Sequence, residues 1–244
     1  MARGSRRPLL AGLLLLVVVA VAVVATVTWT RDRSADQAAA RASASAAARS
    51  LAAAPLIVVY GDSWSSGTPE GGVGEAGWPA VVAERLGVRV EVHASPGAGY
   101  VEGDRTVADL VTAAPVPDAD VAVVFAGRED ATADPAAVGR ATAAAIELAR
   151  NTDPTVLLVV IGPAWPDGDP PAGLPAVRDA VQAAADDASA TFLDPLAAGW
   201  FADRPELIGG DGVSPTDAGH RHLADLIEPT LRPLITGLLA GGPR

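Results

Sequence analysis

The sequence predicts a three-layer α/β domain with a five-stranded parallel sheet, beginning at Pro55, and three observations carry that expectation. Short β-branched runs alternate with longer amphipathic segments, the pattern of strands joined by helical crossovers. The runs Leu56–Tyr60, Val121–Phe125 and Val156–Ile161 are apolar at every position, as parallel strands covered on both faces must be. Hydrophobic residues make up 50% of the chain and aromatics only 4%, so the core is built from Ala, Val and Leu.

Taken in order, residues 1–7 carry Arg3, Arg6 and Arg7 with no acid among them. From Pro8 to Thr30 there is no charged residue, and about 20 apolar residues suffice to cross a bilayer as a helix. The arrangement predicts a single-pass membrane anchor over 8–30 with a cytoplasmic N-terminus and an extracytoplasmic remainder. The alternative is a cleaved signal peptide and a secreted domain, since 38–54 offers several small-residue cleavage sites. Residues 31–54 are rich in Ala, Ser and Arg and read as a stalk, in which Ala favours a helix.

The domain itself occupies 55–244. Its remaining strands are Val88–Val92 and Thr191–Leu193. Helices are predicted over Trp78–Leu86, Val107–Ala114, Ala136–Arg150 and Leu174–Ala188. A last helix follows Pro215, with Thr216 as its N-cap, and runs to about Leu239 with a break at Pro229 or Pro233.

Composition excludes whole chemistries. The 244 residues contain no Cys, and all 18 basic residues are Arg, so there is no thiolate nucleophile, no disulfide and no lysine Schiff base. Three His (His93, His220, His222) leave little for an imidazole metal site, and no metal or cofactor is expected. A net charge of −11 argues against nucleic acid as a partner.

In parallel sheets the chemistry sits beyond the carboxyl ends of the strands. Those ends read Gly61-Asp62-Ser63, then Ser95-Pro96-Gly97-Ala98-Gly99, then Gly127-Arg128-Glu129-Asp130, and finally Asp211-Gly212-Val213-Ser214. A serine in a tight turn directly after a buried strand has an exposed hydroxyl, with backbone N–H groups near enough to face an oxyanion. Read alone, Gly-Asp-Ser is equally a plain turn.

The four blocks together resemble the SGNH (GDSL-type) hydrolase family. Strand-Gly61-Asp62-Ser63-Trp-Ser-Ser-Gly, Gly77-Trp78-Pro79, the third-strand Gly127 block and Asp211-Gly-Val-x-Pro-Thr-Asp-Ala-Gly-His220 stand in family order over roughly 55–235. The resemblance implies a flavodoxin-like sheet and hydrolysis of lipid, acyl or glycan esters at a membrane or cell wall. It maps the nucleophile to Ser63 and an oxyanion donor to the Gly97 amide, with Gly99 as the other register. The third block of the family reads Gly-x-Asn-Asp, its Asn a further oxyanion donor; here Glu129 stands in that place. The last reads Asp-x-x-His; here Asp211 is present and Ser214 occupies the His position.

Both replacements oppose catalysis. Loss of the triad His costs about 10⁶-fold in a serine protease, and loss of one oxyanion donor about 10²–10³-fold. Three substitutes are open. His220 or His222 supplies the imidazole, although His220 is equally the structural His of a Gly-His pair. A neutral Glu129 donates to the oxyanion, which requires a raised pKa and a place within reach of Ser63 or Gly97. Or Asp62, Glu129, Asp130 and Asp211 hold a hard cation with Ser63 and Ser214. The competing reading is a catalytically inactive ligand-binding or scaffolding module. Trp64, Trp165 and Trp200 are the aromatic candidates for a sugar or apolar ligand, and the Pro/Gly-rich loop at Trp165 is placed to rim the crevice. His93 reads as a sheet-edge histidine.

Overall fold

The β-branched runs form one parallel sheet in a computed structural model that describes residues 53–241 and, before them, positions 29, 33, 37, 40–43 and 45. The strands are β1 Leu56–Gly61, β2 Arg89–Ala94, β3 Val121–Phe125, β4 Leu157–Ile161 and β5 Thr191–Leu193. Their order is β2-β1-β3-β4-β5, the flavodoxin-like arrangement. β1 and β3 are buried along their whole length, while β2 and β5 form the edges, which explains their polar positions. β2 begins one residue later than the sequence suggests and runs on to Ala94, opposite Gly61.

Two helical layers cover the sheet, and strand alternation decides which side chain meets which. Val58, Tyr60, Ala122, Val124 and Val160 pack beneath α3 Val107–Ala113, α4 Pro135–Thr152 and α5 Leu174–Asp187. Ile57, Val59, Val123, Phe125 and Ile161 face the short α1 Ser63–Ser66, α2 Trp78–Leu86 and α6 Asp217–Ala240. The helix starts are fixed by capping. Thr106 and Asp109 form a capping box on α3, Asp134 accepts from the amides of Ala136 and Ala137 on α4, and Thr216 accepts from the Gly219 amide on α6.

The expected break in the last helix does not occur. Pro229 and Pro233 lie inside a continuous α6, both on its exposed side, where the carbonyls they leave unpaired can meet water. Each interior Pro costs about 3 kcal/mol. Leu223, Ile227, Leu231 and Ile235 recur every four residues and are fully buried, at about 1.5–3 kcal/mol apiece. The stripe outweighs the prolines.

The chain divides into two compact units, Met1–Ala53 and Ala54–Arg244. In the first, the described residues up to position 45 are helical, and the Arg33 guanidinium lies 3.8 Å from the Trp29 ring centre. The predicted span over 8–30 lies outside the described residues, Trp29 excepted. Among the described residues no helix is long and apolar enough to cross a membrane.

Candidate active site

From β1 the chain crosses to β2 on one side and then to β3 on the other. The carboxyl ends of β1 and β3 therefore frame the switch point at which open α/β sheets take ligands. Ser63 opens α1 at the end of β1 and is 7% exposed. Asp62 before it is extended and caps the helix, its carboxylate accepting from the Trp64 amide at 2.9 Å.

The second loop presents Gly97 at φ +77°, in the left-handed region, with open space where a side chain would stand. Gly99 is committed elsewhere: its amide donates to the Glu102 carbonyl at 3.0 Å, and a Cβ on it would meet the Asp130 carboxylate at 2.8 Å. Of the two registers, the turn leaves the Gly97 amide open. Asp130, fully buried, fixes this loop by accepting from the amides of Tyr100, Val101 and Glu102 at 2.7, 2.8 and 2.9 Å.

At the end of β3, Glu129 is paired with the Arg128 guanidinium beside it. The contact that Glu129 makes is with its neighbour: its carboxyl oxygen accepts from the Arg128 guanidinium, the cation one residue away. The carboxyl with a raised pKa is Asp62, pushed up to about 6 by burial; Arg128, whose Nε lies 3.8 Å from Asp62 Oδ2, opposes the shift and Glu129 adds to it.

On the fourth loop, Asp211 is exposed and accepts from the amides of Val213 and Ser214 at 2.9 and 2.8 Å. The Ser214 hydroxyl also bonds it, and together these bonds hold the Asp211 carboxyl below its ordinary range. Ser214, 5% exposed, thus turns its hydroxyl to the same carboxylate that would orient an imidazole.

The histidines lie apart from these four loops. His220 is fully buried against Gly72, its Nδ1 faces the Trp78 amide at 3.4 Å, and burial lowers its pKa to about 4. His222 places Nε2 2.9 Å from the Trp200 carbonyl and packs edge-on to Phe201. His93 stacks on Tyr60 at the sheet edge. Trp64, offered above as a ligand contact, is 1% exposed and packs on Phe125 and Phe201 instead, because the capped turn points it into the core. Trp165 and Trp200 are half-buried, and Trp200 lines a cavity of about 240 Å³ with Arg204, His222 and Leu226. The oxygen-only cation set is dispersed: Asp130 is taken up by three amides and Asp211 by its own loop. Among the described residues no three His, Cys, Asp or Glu converge as a metal site.

Arg128 is the residue that sequence reading undervalued. Its signal was its place, one position before Glu129 at a strand end of a chain poor in cations.

A flavodoxin-like sheet with a capped serine at the first switch-point turn, and an Asp-Gly-Val-x-Pro block on the last loop, defines the class of SGNH-type hydrolase folds. The chain belongs to the GDSL-like lipase/acylhydrolase family, whose profile matches residues 59–222. It is 42% identical over 192 residues to the GDSL lipase Rv0518 of Mycobacterium tuberculosis, covering 74% of this chain and 83% of that protein. The lipase/acylhydrolase from Enterococcus faecalis shares the fold at a TM-score of 0.61 and 18% identity, over 73% of this chain and 96% of that one. A family two carbohydrate esterase from Clostridium thermocellum does so at 0.60 and 17% identity, over 73% and 64%.

Proposed function

We propose that the domain is an acyl-ester hydrolase of low turnover, with Ser63 as nucleophile and the Gly97 amide as oxyanion donor. The observation that carries this reading is the pair itself: Ser63 on a capped turn at the switch point, and an uncommitted Gly97 amide on the neighbouring loop. Ser63 Oγ adds to the ester carbonyl, the alcohol leaves, and water releases the acyl group. With Ser214 in the base position, the serine proton passes to solvent water rather than to an oriented imidazole, and turnover falls accordingly. The lipase and esterase relatives support lipid, acyl or glycan esters as the ligand class.

The uncharged run over 8–30, preceded by three arginines, supports a membrane anchor with the domain outside the cytoplasm. Protease added to intact cells removes the domain and leaves a membrane-embedded stub if this is so. A soluble species beginning within 38–54 indicates a cleaved signal peptide instead.

A second reading has its own observation. Because the Ser214 hydroxyl is spent on Asp211, the crevice also suits a module that binds an ester or glycan and does not turn it over. A fluorophosphonate probe separates the two. Slow labelling of the full chain that disappears in Ser63→Ala supports the hydrolase; labelling no faster than that of Ser63→Ala leaves the binding module.

A further inference from the structure

We infer that Arg128 receives the acyl group, its guanidinium donating to the carbonyl oxygen of a bound ester or to the carboxylate of a bound acid. This role deepens the hydrolase reading of the same site and rests on it. The family pattern gives an asparagine amide to the next position, 129, where a carboxylate cannot donate.

The geometry supports the role from three sides. The Arg128 side chain is only 13% exposed, an expensive location for a charge unless the protein or a ligand satisfies it. Its Nη2 is bonded to Glu129, whereas its Nε is buried 3.8 Å from Asp62 with no hydrogen bond. A guanidinium has five N–H donors, and this one is not used up by its protein partners. Arg128 stands just past the end of β3, beside the residue that precedes Ser63 at the end of β1.

Charge explains why an arginine follows from the glutamate. An ionised Glu129 alone opposes the negative charge that develops on a carbonyl oxygen. Paired with Arg128 it becomes half of a neutral couple, and that couple keeps what Glu129 lacks: donors of fixed, planar geometry suited to a carbonyl or carboxylate. A neutral asparagine is replaced by a neutral pair.

The test uses the full chain and two readouts, acetate affinity by NMR titration and the rate of fluorophosphonate labelling at Ser63. Arg128→Gln should weaken acetate about tenfold or more and slow labelling by a similar factor. Arg128→Lys, which keeps the charge and loses the fork, should fall between. In a Glu129→Asn background the loss on Arg128→Gln should shrink to about threefold, because the amide supplies a donor. Labelling and acetate affinity that ignore both Arg128 variants overturn the inference and leave the hydrolase reading intact. Acetate affinity that depends on Arg128 without labelling of the parent overturns the hydrolase reading and keeps Arg128 as an anion receptor. Neither acetate binding nor labelling in the parent overturns both. If Arg128→Gln fails to fold, the Arg128→Lys comparison decides by the same criteria.

Discussion

Glu129 and Asp130 are consecutive acids at the end of one strand, and they live in different worlds. Asp130 is fully buried, and its carboxylate gathers three amides of the loop that carries Gly97. Glu129 is partly exposed and holds its neighbour Arg128. The same division runs through the whole site. Asp62, Asp130 and His220 form a buried frame that shapes the turns, while Glu129 and Asp211 are more exposed and sit toward the mouth. Frame and mouth are separate in position, so a change at one need not disturb the other.

The sharpest way to test that separation is to restore the mouth and leave the frame alone. Ser214→His with Glu129→Asn should raise hydrolysis of short-chain aryl esters by orders of magnitude, because Asp211 already stands three residues before position 214. Ser214→His alone should not give robust activity. A folded double variant as inert as its parent would show that the frame has diverged as well.

Breaking the frame should cost stability instead. Asp130→Ala leaves three loop amides without their acceptor, at about 3 kcal/mol or more in chemical denaturation. Glu129→Gln, one residue away, should change stability by no more than about 0.5 kcal/mol. Equal costs would erase the distinction.

Two of the buried titratable groups should separate by sign. His220 has a folded pKa of about 4 against an ordinary 6.5, so it contributes stability above pH 6.5 that is lost as pH falls toward 4. Across that window the loss approaches about 3 kcal/mol, and His220→Gln should flatten that part of the acid limb. Asp62 works in the opposite direction. Its pKa is raised from 3.8 to about 6, so the native state holds the proton more tightly, and stability is lost as pH rises from 4 to 6. Asp62→Asn should remove that loss, a relative gain of about 2–3 kcal/mol by pH 7 in paired unfolding curves. A gain that appears only below pH 4 would reverse the assignment.

Much of this was readable before any coordinates. Val121–Phe125 coincides with a strand because a Val-rich apolar run leaves a buried strand few alternatives, and Thr191–Leu193 coincides with the short edge strand β5. The serine turn and the Asp211 block were legible because local spacing fixes them. Pro229 and Pro233 misled, since local propensity speaks for a break and only the buried stripe of α6 overrules it. Trp64 misled for a related reason: a turn residue reads as exposed until the capped helix aims its ring at Phe201. The adjacency of Arg128 and Glu129 was visible in the sequence, but not their bond, because adjacent charges on a loop meet only when the backbone turns them together.

The prolines of α6 have a consequence for how the domain comes into being. A segment with two interior prolines is a poor helix by itself, and its order comes from the sheet face that receives Leu223, Ile227, Leu231 and Ile235. This segment follows all five strands in the chain, and the Asp211–Ser214 turn lies immediately before its cap. The fourth wall of the crevice therefore sets only when α6 docks on the sheet. Until that docking Ser63, at the far end of the domain's sequence, stands on a site that lacks one of its walls.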